Sequence, residues 1–191
     1  MVNLPQTGGI ARILIIKWSA MGDVVIATAA MEDVVRAFPS SRIDLNAMRP
    51  WDTLFEHDPR FDEVFSFDLR GTERGLAGMW RWVRHVRERR YDLIVDLQSS
   101  DRTRALIAML QLTGRGARYR MGHRRGFPYN VSPDWQDPGA ASHENVRRTL
   151  AAGGIAARTE RPVLHIPDTT SARVEALNAQ HGLARGNYAV F

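Results

Sequence analysis

The apolar run Ile13-Leu14-Ile15-Ile16 gives way to helical spacing through Lys17-Trp18-Ser19-Ala20-Met21-Gly22-Asp23. A carboxylate at a strand-to-helix junction has two uses. As an N-cap, Asp23 satisfies free N–H groups of the first helical turn. As a general base, it takes the proton of a weak nucleophile, such as a hydroxyl, as the new bond forms. Two more polar stretches, residues 96–102 and 120–125, also follow short apolar runs, and the second carries Arg120, Arg124 and Arg125. The junction contains neither a GKS/GKT phosphate loop nor GxGxxG, so nucleotide fingerprints are absent. His123 and His143 have no partner at metal-ligand spacing, and no metal site is expected. Trp80 and Trp82 could stack on sugars or meet a membrane; packing or a domain contact is the plainer role.

These groups need a scaffold. Residues 12–18 carry the apolar run Ile13–Ile16 without alternation, the pattern of a buried parallel strand. Residues 23–38 place Val24, Ala27, Thr28, Met31, Val35 and Phe38 on one helical face, and Pro39 ends the helix. Further strands are predicted at 42–47, 63–67, 93–96 and 119–121. Helices are predicted at 51–57, 76–89, 102–112, 143–152 and 172–181. In the 76–89 helix, Leu76, Met79, Val83 and Val86 are the predicted buried stripe. Residues 126–141 form a loop, and Gly153-Gly154 stops the helix before it. This alternation predicts an α/β fold, a Rossmann-like doubly wound parallel sheet with right-handed crossovers. Such sheets bind ligands beyond the carboxyl ends of their strands, where Asp23 and both polar stretches fall.

Composition narrows the class. The chain has 191 residues, 44% of them hydrophobic, enough for a substantial core. It has no cysteine, which excludes disulfides, thiolate catalysis and cysteine-ligated zinc. The amino terminus lacks the apolar segment of a signal peptide, and no apolar run reaches the ~18 residues of a membrane span. A soluble, cytoplasmic protein is expected, with peripheral contact at the inner face of the membrane as an option. Residues 81–125 hold twelve arginines against four acids. That block suggests an anionic partner, although arginine-rich codon usage would also produce it. Lys17 is the one lysine in the chain, which points to a function for it. The end, Asn187-Tyr188-Ala189-Val190-Phe191, has the pattern of a new strand, and a second domain is expected to follow.

The stretch ILIIKWSAMGDVVIATAAMEDVVRAFPSSRIDL resembles the amino-terminal signature of the family 9 glycosyltransferases, which include the lipopolysaccharide heptosyltransferases. FDEVFSFD, RERRYDLIVDLQ, RYRMGHRRG and HENVRRTLAAGGI resemble later segments of that family in order. The resemblance implies a GT-B fold, whose amino-terminal half binds the acceptor and whose carboxy-terminal half binds the nucleotide sugar. On that pattern residues 1–167 are the acceptor-binding domain, and 168–191 are a linker helix and the start of the donor domain. It implies an inverting transfer without a required metal or other cofactor, with Asp23 as base. Lys17, Ser19, Gly22, Gln98, Arg102, Arg120, Arg124 and Arg125 are the implied acceptor-side residues.

Two departures qualify the match. Ser99, Arg102 and Thr103 stand where the family commonly has Gly, Lys and Ser, and Arg presents a planar fork where Lys presents a point charge. Val25 and Ile26 are apolar where a polar residue is common, so acceptor specificity is expected to differ. The expected function is transfer of a hexose or heptose to an envelope-glycan or lipopolysaccharide-core acceptor. The acceptor would be an anionic glycan or glycolipid, held bidentately by arginine. The nucleotide-sugar donor would belong to the second half, and the 191 residues alone would be inactive. Should Asp23 only cap its helix, Asp101 is the next candidate base. The alternative is a non-enzymatic nucleotide- or nucleic-acid-binding Rossmann-like module. Against it, the chain lacks a glycine-rich phosphate loop and an RNA-binding aromatic signature, so no nucleic-acid partner is expected.

Overall fold

The computed structural model describes residues 4–5, 9–68, 71, 74–134, 139 and 141–184. The strand expected at 187–191 lies outside them. Five parallel strands form one sheet in the order β3-β2-β1-β4-β5. They are β1 (Arg12–Ile16), β2 (Arg42–Ala47), β3 (Glu63–Ser66), β4 (Leu93–Asp96) and β5 (Tyr119–Gly122). The order reverses between β1 and β4, which pair in register from Ile13↔Leu93 to Ile16↔Asp96. That reversal is the switch point at which open α/β sheets leave a crevice.

The period-2 alternation of β1 divides the core. Ile13 and Ile15 pack with Val24, Met31, Val34 and Leu150, from α1 (Met21–Ala37) and α4 (Ser142–Ala152). Leu14 and Ile16 pack on the other face with Trp82, Val86, Leu106 and Ile107, from α2 (Leu76–Arg89) and α3 (Asp101–Leu112). The predicted stripe of α2 is corrected at one position. Leu76 is exposed, and Gly78, Trp82, Val83 and Val86 are buried. Leu76 is the first residue of α2, where the helix end faces solvent, and Trp82 takes the core side instead. Trp82 and Trp18 both donate Nε1–H to Asn46 Oδ1, at 2.8 and 2.9 Å. Trp82 is therefore a core residue, whereas Trp80 stands in solvent.

The Tyr-Asp pair ahead of β4 also has a structural use. Tyr91 donates its hydroxyl to buried Asp44 at 2.6 Å. Asp92 Oδ2 accepts the N–H groups of Ala11 and Arg12, at 2.8 and 3.0 Å, and fixes the start of β1. The short helix expected at 51–57 is a 3-10 turn, Trp51–Phe55. The last helix, α5 (Asp168–Gln180), buries none of its residues. No helix among the described residues is long and apolar enough to cross a membrane.

Candidate active site

The passage from β1 into α1 carries four predicted site residues, Lys17, Ser19, Gly22 and Asp23. Helix α1 begins at Met21 and its N-cap position is Ala20, with no side-chain cap. Asp23 is thus the third residue of the helix and its carboxylate is exposed. The N-cap expectation for Asp23 is corrected. The turn is held from outside instead. Gln98 Oε1 accepts the backbone N–H of Trp18 at 3.0 Å and of Ser19 at 3.1 Å. Gln98 follows β4, so one amide links the two central strand ends.

Lys17 directly follows β1 and is 5% exposed. Burial lowers the pKa of its ammonium, while the charges of Asp23 and Asp96 act in the opposite direction. Asp96 closes β4 and is fully buried. It accepts Tyr129 Oη–H at 2.5 Å and the N–H groups of Gln98 and Ser99 at 3.0 and 2.9 Å. Burial raises its pKa against the pull of these hydrogen bonds. Ser99 turns the chain with φ of +50°, a region favourable to glycine and costly for other residues. Its hydroxyl donates to Asp96 O at 3.1 Å and accepts from His123 N at 3.4 Å. The glycine-to-serine departure therefore supplies two local contacts.

A cavity of about 340 Å³ opens over these strand ends. Lys17, Ser19, Asp23 and Gln98 line it together with His123, Ser142, Asn145 and Thr149. The face of α4 was not singled out from the sequence. Its signal is the spacing of Ser142, Asn145, Val146 and Thr149, which places them on one helical side. Gly22 lies in the first turn of α1, and a Cβ there would meet nothing within 4 Å.

The four arginines are not part of this lining. Arg120 bonds backbone carbonyls, with Nε to Pro128 O at 2.5 Å and Nη1 to Ala117 O at 2.6 Å. It braces β5 against the loop that follows. Arg124 pairs with Asp101 on the surface, which occupies the second candidate base. Arg125 donates to Asp134 O at 2.9 Å. Arg102 is exposed on the first turn of α3. Thr103, its neighbour, is buried and completes a reciprocal capping box with Ser100. Burial and the charges of Arg124 and Arg148 lower the pKa of His123.

The fold has counterparts among solved structures. The glycosyl transferase family 9 protein of Veillonella parvula DSM 2008 superposes with a TM-score of 0.75 over 92% of this chain and 51% of its own, at 19% identity. The fold is that of the family 9 glycosyltransferases. E. coli ADP-heptose LPS heptosyltransferase II matches 91% of this chain and 51% of its own, with a TM-score of 0.64 and 18% identity. E. coli heptosyltransferase WaaC with ADP covers 79% of this chain and 50% of its own, with a TM-score of 0.56 and 19% identity. This chain thus spans about half the length of the structures it matches. No protein-family model matches the sequence, and no curated protein does.

Proposed function

We propose that this chain is the acceptor-binding half of an inverting glycosyltransferase, with Asp23 as its general base. The carrying observation is that Asp23 and Lys17 line one cavity at the switch point between β1 and β4. The acceptor hydroxyl attacks the anomeric carbon of a nucleotide sugar. The new C–O bond forms as the bond to the nucleoside diphosphate breaks, and Asp23 takes the hydroxyl proton. A carboxylate on the first turn of α1 is electrostatically favoured there. Lys17 supplies a nearby positive charge, and hydroxyl and amide groups of Ser19, Ser142, Asn145 and Thr149 suit a sugar ring.

The donor, a nucleotide-linked hexose or heptose, needs a second half to complete a GT-B cleft, and the matched structures are about twice as long as the stretch they share. The acceptor in this reading is an envelope-glycan or lipopolysaccharide-core sugar met at the inner face of the cytoplasmic membrane. Within the complete two-domain polypeptide, Asp23→Asn is expected to lower turnover by ~10²–10⁴, the usual loss of a general base. Acceptor affinity should change little. Near-normal turnover in that variant would place the base elsewhere.

A further inference from the structure

A second cavity, of about 280 Å³, adjoins the polar one. The two share Lys17, Asp23, Ser142 and Val146 as a common wall. Beyond that wall the character changes. Ile26, Ala27, Ala30, Leu150 and Ala157 give the second cavity a mainly carbon floor between α1 and α4, while Asp33, His143, Arg147 and Glu160 also line it. At its mouth Ile26 is 49% exposed, one turn along α1 from Asp23.

The far wall is built and fixed. The strap of residues 157–163 lies along α1 and is tied at two points. Asp33, 4% exposed, accepts the N–H and hydroxyl of Thr159 at 3.0 and 2.7 Å. Thr28 Oγ1 accepts Val163 N–H at 2.9 Å, and Arg60 Nη2 donates to Val163 O at 2.9 Å. Arg60 is itself anchored to Asp58 and Glu32. Buried Asp33 and Thr28 thus hold the half-buried Thr159 and Val163 of the strap against α1. The cavity is therefore preformed, as small-molecule sites usually are.

We propose that this cavity is an apolar subsite for an aryl or short alkyl substituent of the acceptor. The substituent would lie next to the hydroxyl that Asp23 deprotonates, so the assignment rests on the function proposed above. The carbon floor favours an apolar group over a further sugar ring, whose hydroxyls would lose water partners wherever they faced Ile26, Ala30 or Leu150. The volume exceeds the ~150 Å³ of an apolar cavity that takes up benzene. The lining thus divides recognition in two: hydroxyls beside Gln98 and Asn145, and carbon beside Ile26 and Leu150.

The test is binding of two probes to the 191-residue chain, octyl β-D-glucopyranoside below its micelle concentration and methyl β-D-glucopyranoside, by isothermal titration. The octyl probe should bind on the order of tenfold or more tightly than the methyl probe, as a few buried methylenes require. Ile26→Ser removes the lining at the mouth, and Ala29→Phe fills the space from α1. Both should reduce the preference to about threefold or less. If Ala29→Phe does not fold, Ile26→Ser carries the test, because an exposed position tolerates the change. Equal binding of both probes to the parent, or an octyl preference that survives the variants, overturns the subsite. Retained turnover in Asp23→Asn beside an intact octyl preference would instead sink the base assignment and leave the subsite standing.

Discussion

Replacing Gln98 with alanine removes the acceptor that two backbone N–H groups share, at 3.0 Å for Trp18 and 3.1 Å for Ser19. The two losses differ. Trp18 is 2% exposed, so its N–H is left without water, which costs about 1–3 kcal/mol. Ser19 is half-buried and regains a water, so its loss is a net hydrogen bond of about 0.5–1 kcal/mol. The Ala variant should therefore lose about 1.5–4 kcal/mol, read from the urea midpoint of the 191-residue chain at constant slope. Gln98→Glu keeps an oxygen in place, in the cavity that Lys17 also lines, and should stay within ~1 kcal/mol of the parent. The same bonds aim the turn that carries Asp23. A displacement of about 1 Å there would lower turnover of the complete polypeptide roughly 10²-fold, through kcat more than KM. An Ala variant as stable as the parent, or a Glu variant as damaged as the Ala variant, would refute the positioning role.

Asp23→Ala should cost no more than the ~0.3–1 kcal/mol of a charge near a helix terminus, since Ala20 holds the N-cap position; a thermal melt showing a much larger loss would restore the cap. Lys17→Met should raise stability by on the order of 1 kcal/mol while weakening the site, because a buried charge is replaced by an apolar chain of similar volume. The folded-state pKa of Lys17 lies below the ordinary 10.5, so the unfolded chain holds the extra proton between those values. The parent should then gain stability relative to the Met variant as pH rises toward 10.5, visible in paired urea titrations. Ser99→Gly should change stability little, whereas Ser99→Val should lose about 1–2 kcal/mol at φ of +50°. Asn46→Leu should cost about 2–6 kcal/mol in chemical unfolding, because the Trp18 and Trp82 indoles lose their shared acceptor.

The elements legible in the sequence are those whose own residues decide them. The ends of β2 and α2 match the predicted 42–47 and 76–89, because periodicity and flanking glycine or polar residues lie within the element. The start of α1 falls two residues before the predicted one. Gly22-Asp23 looks like a cap locally, and the entry into the helix is fixed instead by Gln98, far along the chain. The aspartate near the sheet edge was visible, and so were Lys17, Ser19 and Gln98 as neighbours of it. The use of Gln98 was not, because a backbone acceptor and a ligand-binding amide have the same residue type.

The arginines mark the opposite limit. Their density from 81 to 125 is plain in the sequence, but their partners depend on where a loop puts its carbonyls. Pro128 O and Ala117 O take Arg120, and Asp134 O takes Arg125. A guanidinium has five donors and finds such oxygens wherever a loop crosses a strand end. The buried charges at the site follow a different rule. Asp96 ends β4 and Lys17 directly follows its pairing partner Ile16 in β1, and both are almost wholly removed from water. Placing them there is unfavourable for each group alone, and the hydrogen bonds from Tyr129, Gln98 and Ser99 offset the cost only for Asp96. For Lys17 the charges of Asp23 and Asp96 offset only part of the cost of burial. A buried cation facing a cavity at a cost to its own fold fits the function proposed above better than an exposed or carbonyl-bonded arginine does, so Lys17 is the first residue of the basic set to test for a role in the site.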